Sequence, residues 1–449
     1  MKEKVQSLVL ILLVLSSLYL TYLLWYARVP YEVATQEEYE RVYFEEPRPA
    51  GRVIAPEKIV FPGQRTNRVL KEGQPGFQEV WGKILEQLEK GVLKGGIVSE
   101  NRLPRGSLLL QLHFEPPFPI GSGTTAMPER PYRELAGLEI WERGELLELV
   151  LKAVEGGEER GLFLEEGGAQ QLQELLEKLS PDSMLPYREF QGEELTALVD
   201  FPIQVEEPLW IPLLESVPAL EIAVEEPEHE RLVKIFFTRY NLVRRIDERD
   251  GATIYTDGER GLRIGRERLE YSAPLLEHSF SATDSYPAAL NQANRLLCYY
   301  SGWPAGLRLV GLDLVSGEGG RNSLCRCQWR FYAGGLPLLY GENGWTVEMA
   351  FNDGGLIYLN RHLFQPRKAA EEEIVVAPFS QALKKAFKEY QEQGAEEEGP
   401  AYLEAVELAY LVDFADSAYR GQPVWVVRIN GREMILDGKS LHLLEGGAR

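Results

Sequence analysis

The chain has 449 residues, with 48 Lys and Arg against 69 Asp and Glu, which gives a formal net charge of −21. Apolar residues make up 44% of the sequence and charged residues 26%, an ordinary globular composition that excludes wholesale disorder. The acidic charge argues against nucleic acid as a partner, because phosphate binding needs a basic face, and a total of three cysteines excludes a disulfide scaffold.

The first predicted element is a transmembrane helix near the N-terminus. Residues 5–27 contain no charged side chain, and at about 1.5 Å per residue a helix of this length crosses a bilayer core of about 30 Å. Tyr22, Trp25 and Tyr26 stand at its end, where aromatic rings favour the headgroup region. A cleaved signal peptide begins in the same way but has a shorter apolar run and a small-x-small cleavage site. We therefore predict an uncleaved anchor that contacts membrane lipid through one helix.

The charges that flank this segment predict its orientation. Lys2 and Lys4 precede it, opposed only by Glu3, whereas several acidic residues follow Arg28. Under the positive-inside rule, the N-terminus stays in the cytoplasm and the bulk of the chain lies outside the cell membrane. Lys2 and Lys4 at one end, with the three aromatic residues at the other, are the predicted membrane-interface anchors.

One face of the predicted helix has the spacing of a packing interface. Steps of three and four residues place on that face Ser7, Leu10, Val14, Ser17, Thr21 and Leu24. Ser17 and Thr21 form a small-xxx-small pair, which lets two helix backbones approach and lets hydroxyls bond between helices. The same hydroxyls can instead bond to carbonyls of their own helix, and the pattern leaves both interpretations open. These six residues, hereafter the seam, are the candidate transmembrane partner interface.

The next two regions are predicted as a tether and a mixed α/β domain. Residues 28–78 are predicted to form a Pro-rich acidic tether, because six prolines break any long helix and residues 37–46 are strongly charged. Residues 79–226 are predicted to form a mixed α/β domain. Its predicted elements are helices over 78–90 and 169–179, strands over 107–114, 145–154 and 160–164, and a Pro-rich loop over 115–131.

The remaining chain repeats one layout three times, a helix followed by short strands. The helices are predicted over 228–240, 286–300 and 381–390, and the strands over 243–246, 253–256, 262–264, 269–272, 307–314, 324–332, 345–351, 356–361, 404–414, 424–429 and 433–436. Asp250-Gly251 and Asn430-Gly431 are typical of tight hairpin turns. We therefore predict antiparallel meanders, each covered by its helix, in a middle α+β domain over 227–367 and a C-terminal α+β domain over 368–449. The predicted fold class is α+β, with a single N-terminal transmembrane helix followed by an extracytoplasmic multi-domain region of helix-plus-antiparallel-meander units.

No motif in the sequence indicates catalysis, a metal site or a cofactor. The five histidines are dispersed, and metal-ligand spacings, a nucleophile elbow and a phosphate loop are missing. Cys325 and Cys327 would share one face of a strand, and we predict buried free thiols, although pairing with Cys298 stays open. Close acidic pairs such as Glu158-Glu159 fit a wall glycosidase, but in a chain this acidic they are expected on any solvated surface. We predict that the chain is not an enzyme and has no cofactor.

Three segments resemble the YycH family. The first is the opening 1–7, which runs into a Leu-rich anchor that ends in Trp25-Tyr26. The second spans 243–246 through the turn at 252–258. The third is a predicted helix from residue 288 that runs into Ser301-Gly302-Trp303-Pro304. The family comprises membrane-anchored regulators of the WalK (YycG) sensor histidine kinase in Gram-positive bacteria, and its length and layout agree with this chain.

The resemblance implies a function that composition and spacing do not. It implies a non-catalytic protein that restrains the kinase through transmembrane-helix and extracytoplasmic contacts, together with a sister regulator of YycI type. Through that kinase it would influence the genes of cell-wall metabolism. The alternative from the residues alone is an anchored extracytoplasmic module that binds the cell wall or a ligand and has no kinase partner.

Overall fold

The computed structural model describes residues 44–48, 52–90, 106–121, 132–144, 146–156, 158–164, 166–199, 201–274, 285–315, 324–340, 344–352, 355–392, 401–415 and 418–447, together with Leu13, Val14, Ser16, Ser17 and Tyr19. The chain divides into two compact units, Met1–Val42 and Tyr43–Arg449. In the first unit the five described residues are helical. Within the part of the chain described here, no helix has the length and apolar character that crossing a membrane requires. Most of the predicted transmembrane helix over 5–27 lies outside that part.

Six α-helices are described in the second unit. They are α1 (Phe77–Lys90), α2 (Glu166–Lys178), α3 (Gly192–Val199), α4 (His229–Phe236), α5 (Tyr286–Tyr300) and α6 (Phe379–Glu392), with 3₁₀ turns at Pro181–Ser183 and Tyr240–Leu242. Helix α5 has the predicted bounds, because Ser285 is extended just before it and Pro287 fits its first turn. Helix α4 ends earlier than predicted, at Phe236.

Among the described residues, the first sheet consists of β1 (Lys58–Phe61), β2 (Asn67–Leu70), β3 (Ser107–Ile120), β4 (Arg133–Arg143), β5 (Leu146–Ala153), β6 (Glu158–Phe163), β7 (Leu185–Phe190) and β9 (Leu209–Pro212). These eight strands are all paired antiparallel, in the order β6-β5-β4-β3-β1-β2-β7-β9. Trp81 of α1 is buried against the sheet, with edge-on ring contacts to Phe114 and Phe118 of β3. Aromatic contacts of this kind add to the stabilisation that α1 gains from the apolar area it buries.

The second sheet has sixteen strands in the part of the chain that the structure describes. They are β8 (Ile203–Gln204), β10 (Ser216–Val224), β11 (Arg244–Asp247), β12 (Thr253–Thr256), β13 (Gly261–Ile264), β14 (Arg268–Ser272), β15 (Leu307–Val315), β16 (Leu324–Ala333), β17 (Leu336–Leu339), β18 (Val347–Asn352), β19 (Gly355–His362), β20 (Phe364–Val375), β21 (Ala401–Ala415), β22 (Ala418–Ile429), β23 (Arg432–Asp437) and β24 (Leu443–Gly447). Its main path is β11-β12-β13-β14-β19-β18-β16-β17-β21-β22-β10-β20. Neighbours are antiparallel, except that β17 and β8 pair parallel with β21. The mixed helix and antiparallel-sheet fold is thus confirmed.

The tether prediction is wrong for residues 52–78. Strands β1 and β2 lie inside that range and pair with each other and with β3 and β7. Val53 and Ile54 are buried just before β1. Pro56 and Pro62 flank β1 and do not interrupt it. Proline cannot donate a hydrogen bond to a neighbouring strand, so its position outside the strand leaves the pairing of β1 intact.

Two further predictions conflict with the strand bounds. The prediction of a loop over 115–131 is wrong for its first residues, because β3 continues to Ile120. The pairing of β3 with β4 shifts register between His113 and Phe118, where the prolines lie. The predicted boundary between residues 367 and 368 falls inside β20, which pairs along β10. As a statement about independent folding, the division into domains at 78, 226 and 367 stays a prediction.

Candidate functional site

The seam is the part of the predicted site that lies nearest the N-terminus. The structure describes two of its six residues, Val14 and Ser17, and both are helical and exposed. Three positions apart on a helix, they lie on one face. The other seam residues and the predicted anchors lie outside the described residues: Ser7, Leu10, Thr21 and Leu24 of the seam, and Lys2, Lys4, Tyr22, Trp25 and Tyr26. The seam therefore stays a prediction.

Residues 44–48, hereafter the clasp, run against the C-terminal end of α5. The backbone N–H of Phe44 donates to the carbonyl of Tyr299 at 3.3 Å, and that of Glu45 donates to the carbonyl of Cys298 at 3.2 Å. The last carbonyls of an α-helix have no donor within the helix. The clasp supplies two of these donors and so completes the end of α5.

A buried asparagine holds the other end of the clasp. The side-chain amide of Asn294 donates to the carbonyl of Arg48 at 2.7 Å, and its Oδ1 accepts the N–H of Arg48 at 3.3 Å. Asn294 is only 3% exposed. A buried amide without partners costs free energy, so this two-point contact both satisfies Asn294 and fixes the path of the chain.

Side chains of the clasp surround Trp303, which follows α5. The backbone N–H of Trp303 donates to Glu45 Oε1 at 2.8 Å, and the guanidinium of Arg48 lies 4.9 Å from the centre of the Trp303 ring. Arg48 also donates to the Trp303 carbonyl. Burial, with a smaller contribution from Glu45, raises the pKa of the neighbouring Cys298 thiol to about 11, so this thiol stays protonated and unreactive at neutral pH.

The Phe44 ring of the clasp lies near one exposed and one buried arginine. Two guanidinium groups lie near it, Arg231 at 5.1 Å and Arg361 at 5.9 Å from the ring centre. Arg361 donates to the carbonyl of Ser301 and to Glu225 Oε2, each at 2.6 Å. Burial lowers the pKa of Arg361, yet its guanidinium stays charged because it has a carboxylate partner. The first residue of the clasp is thus fixed to both α5 and β19.

A second buried cluster, hereafter the joint, connects the two sheets. In the first sheet, Lys71 Nζ lies 3.7 Å from Glu57 Oε1 and 3.5 Å from the hydroxyl of Tyr187. Lys58 Nζ lies 3.4 Å from Glu57 Oε2. Burial favours the neutral acid of Glu57, but the nearby charges of Lys58 and Lys71 outweigh it and hold the pKa of Glu57 well below its usual range.

Arg308 of β15 carries the joint into the second sheet. It is 3% exposed, donates to the hydroxyl of Tyr332 at 3.2 Å, and also donates to the backbone carbonyl of Glu115 in β3. The buried Nε of Arg308 has no hydrogen-bond partner among the described residues. One side chain thus bonds to strands of both sheets.

Close backbone approach at the joint requires glycine. Gly73 has φ +81°, and a Cβ added there would lie 2.5 Å from the carbonyl oxygen of Tyr332. That distance is a clash with backbone, and a positive φ is itself unfavourable for other residues. The turn that follows β2 can therefore touch β16 only because residue 73 is glycine.

The contacts described at the clasp and the joint are hydrogen bonds, ion pairs and ring contacts within the chain. Within the described ranges, no group of three or more His, Cys, Asp and Glu side chains is placed to hold a metal ion. Cys298, Cys325 and Cys327 are free and buried, as predicted. Burial lowers the pKa of His113 and of His362 to about 4 each, so both rings are neutral at pH 7 and lie apart from one another in sequence and in the sheets.

The N-terminal fifth of the chain matches a known family model. Residues 3–94 match the family model described as the YycH protein, N-terminal domain. The crystal structure of YycH from Bacillus subtilis is similar to this chain with a TM-score of 0.54 and 10% sequence identity, covering 88% of this chain and 98% of that chain. The resemblance to the YycH family is confirmed. At this identity the structural similarity establishes the shared fold alone, and the family model matches residues 3–94 of the chain.

A second solved structure shows a weaker similarity. An uncharacterized protein from Eubacterium rectale is similar with a TM-score of 0.38 and 12% identity, over 54% of this chain and 90% of that chain. No curated protein matches the sequence of this chain.

Neither the clasp nor the joint was predicted from the sequence. Phe44, Glu45 and Arg48 stand in a charged, Pro-rich stretch without apolar periodicity, and Asn294 lies 246 positions away from Arg48. One signal was present: Ser301-Gly302-Trp303-Pro304 carried the YycH resemblance, and Trp303 proves to be the residue that the clasp surrounds.

Proposed function

We propose that this chain is a non-catalytic, membrane-anchored regulator that restrains a sensor histidine kinase of WalK (YycG) type. At the level of the family, the YycH resemblance supports regulation of a two-component system. The finer parts of the proposal are a single-pass anchor over residues 5–27, an extracytoplasmic location for the second unit, and a sister partner of YycI type. Nothing in the proposal requires a cofactor or nucleic acid.

The observation that carries the proposal is the extent of the family match. Residues 3–94 include the apolar segment, the clasp, β1, β2 and α1. The matched region therefore joins the predicted anchor to the first sheet in one covalent stretch. A regulator that transmits an external state to a membrane helix needs such a connection, and here the clasp fixes the chain to α5 soon after the apolar segment.

The energies involved are adequate for regulation. A polar contact between membrane helices contributes about 0.6–2 kcal/mol, and about 1.4 kcal/mol shifts an equilibrium tenfold. Two such contacts at Ser17 and Thr21 would bias a two-state kinase, provided that they differ between its states.

Co-purification from native membranes tests the proposal. Tagged full-length chain should retain a sensor histidine kinase and a second single-pass protein, and deletion of its gene should raise kinase output. The control is a chain whose residues 5–27 are replaced by an unrelated apolar helix, which should retain less kinase at equal abundance. Cell-wall material without any kinase would contradict the proposal and favour the anchored wall- or ligand-binding module.

A further inference from the structure

The edge strand of the second sheet is exposed. Strand β11 stands at one end of the sheet path, and among the described residues only β12 pairs with it. All four β11 residues are exposed, including the apolar Ile246 at 50%. An unpaired strand edge presents backbone N–H and C=O groups to any strand that can align with it.

The turn after β11 determines which backbone groups face outward. The N–H of Glu248 donates to the carbonyl of Ala252 at 2.8 Å, and the carbonyl of Glu248 accepts the N–H of Gly251 at 3.2 Å, so both backbone groups of Glu248 face the β12 side. Backbone groups of successive residues point alternately to the two sides of a strand, and Ile246 lies opposite Ile254. Ile246 therefore bonds to β12, whereas the backbone groups of Arg245 and Asp247 point away from β12 and are available to a new strand.

The charge pattern of this edge is antisymmetric. The sequence Arg244-Arg245-Ile246-Asp247-Glu248 carries two positive charges, an apolar centre and two negative charges. If two copies pair antiparallel about Ile246, each arginine lies opposite an acid and Ile246 lies opposite itself. Opposite charges in cross-strand pairs stabilise a sheet.

The alternation of hydrogen bonds selects the same register. Pairing about Ile246 places Arg245 opposite Asp247 of the second copy, and both residues have outward-facing backbone groups. The neighbouring registers that satisfy this alternation place Arg245 opposite Arg245, or Asp247 opposite Asp247. Like charges directly opposite are destabilising, so charge and backbone geometry agree on one register.

We propose that β11 pairs antiparallel with β11 of a second copy of this chain, centred on Ile246. A second copy places each of the four charges of this edge opposite its complement, and Glu248 also pairs with Arg263 of its own chain at 2.6 Å. Within one chain, Arg245 Nε already lies 2.9 Å from Asp247 Oδ1, and their side chains are 61% and 65% exposed. In the pair, these ion pairs from the two copies would join into a ring of four alternating charges.

The size of the contact makes the association weak. Stable interfaces bury about 1,200–2,000 Å² in total, and two four-residue strands supply only a fraction of that area. The pair should therefore form where the local concentration of the chain is high, as for copies confined to one membrane. In that respect alone, the inference draws on the proposed anchor.

Cysteine cross-linking of the full-length protein in membranes tests the register. Residues opposite each other in a non-hydrogen-bonded pair have Cα atoms about 4.5 Å apart, within disulfide reach. Ile246→Cys, treated with copper phenanthroline, should give a covalent dimer on a non-reducing gel. The three native cysteines are buried, so the wild-type chain provides the background.

Neighbouring positions supply the matched controls. Arg245→Cys or Asp247→Cys alone should give at least fivefold less dimer than Ile246→Cys, whereas the two variants expressed together should cross-link with each other. Equal dimer from all three single variants, or none from Ile246→Cys, would overturn the proposal. Because these variants leave the seam unchanged, a failure here would not affect co-purification of the kinase.

Charge reversal provides an independent readout in the Ile246→Cys background. Arg245→Asp should lower the dimer fraction at least threefold, since it places like charges opposite each other. Arg245→Asp combined with Asp247→Arg restores the antisymmetry and should restore the dimer. Unchanged cross-linking in the single-reversal variant would rule out this register.

Discussion

Asn294 in α5 binds both backbone polar groups of Arg48 in the clasp, donating at 2.7 Å and accepting at 3.3 Å. The two residues are 246 positions apart in sequence. An amide side chain that bonds to an N–H and a C=O of one residue acts as a short piece of β-ladder. This contact therefore fixes the beginning of the second unit against α5, the helix whose C-terminal end the clasp completes.

We predict that Asn294→Leu opens the clasp. The change keeps the branched shape of the side chain but leaves the N–H and C=O of Arg48 without their partner, at a cost of about 1–3 kcal/mol. Amide hydrogen exchange of peptides that cover residues 44–48 should become about 5- to 150-fold faster, as mass spectrometry would measure. Asn291→Leu, one turn earlier on α5, is the matched control and should leave that exchange unchanged. Equal acceleration in both variants would show that α5, not the contact, governs the clasp.

We predict that Lys71→Met destabilises the fold through the joint. Removing one partner of a buried ion pair leaves the other uncompensated, so the free energy of unfolding should fall by about 2–5 kcal/mol. Urea unfolding at pH 7 would measure it. Lys58 remains beside Glu57, which keeps the loss from being larger.

The double variant separates lost charge pairing from lost packing. Glu57→Gln added to Lys71→Met removes the uncompensated charge and should recover at least about 1 kcal/mol of that loss, a non-additivity expected for residues in contact. Lys83→Met, in a surface pair with Glu86, is the control and should change the free energy of unfolding by less than about 1 kcal/mol. Strict additivity at the joint would contradict the ion pair described here.

The two buried histidines predict how stability depends on pH. The folded pKa of His113 and of His362 is about 4 because burial disfavours the charged ring, whereas an unfolded histidine has a pKa of about 6.5. Between these values the unfolded chain binds more protons, so the free energy of unfolding falls as the pH falls from about 6.5 towards 4. Each histidine should contribute roughly 1–3 kcal/mol to this loss.

Phenylalanine at both positions removes the titration and keeps an aromatic ring. His113 contacts Trp210, and His362 contacts Tyr340 and Phe364, so the packing is conserved. His113→Phe with His362→Phe should flatten the dependence of stability on pH between about 6.5 and 4.5, as urea unfolding at several pH values would measure. An unchanged slope would mean that other groups cause the loss.

Elements with local signals could be predicted from the sequence. Helix α5 and strand β12 have the predicted bounds, because apolar periodicity and flanking turn residues act within one segment. The fold class follows from the same local signals.

Elements that depend on distant partners could not be predicted. Strands β1 and β2 have four residues each and pair with β3 and β7, which follow much later in the chain. The clasp depends on Asn294 and Trp303, which lie 246 and 258 positions beyond their partners Arg48 and Glu45. The joint depends on Arg308, which lies 193 positions beyond Glu115. A single sequence contains no signal for such pairings. The segment that carried the YycH resemblance nevertheless includes Trp303, which the clasp surrounds.

The most direct test of the account is kinase output in cells that carry a changed seam. Ser17→Leu with Thr21→Leu adds bulk and removes both hydroxyls, yet leaves the segment hydrophobic enough to insert. We predict that this pair raises the output of the WalK-type kinase several-fold at unchanged protein abundance, whereas Leu12→Ala with Tyr19→Ala on the opposite face does less. Equal effects from the two pairs of substitutions would contradict the prediction that the seam is the partner interface. No effect from either pair, with a strong effect from deleting the second unit, would place the regulatory contact outside the membrane.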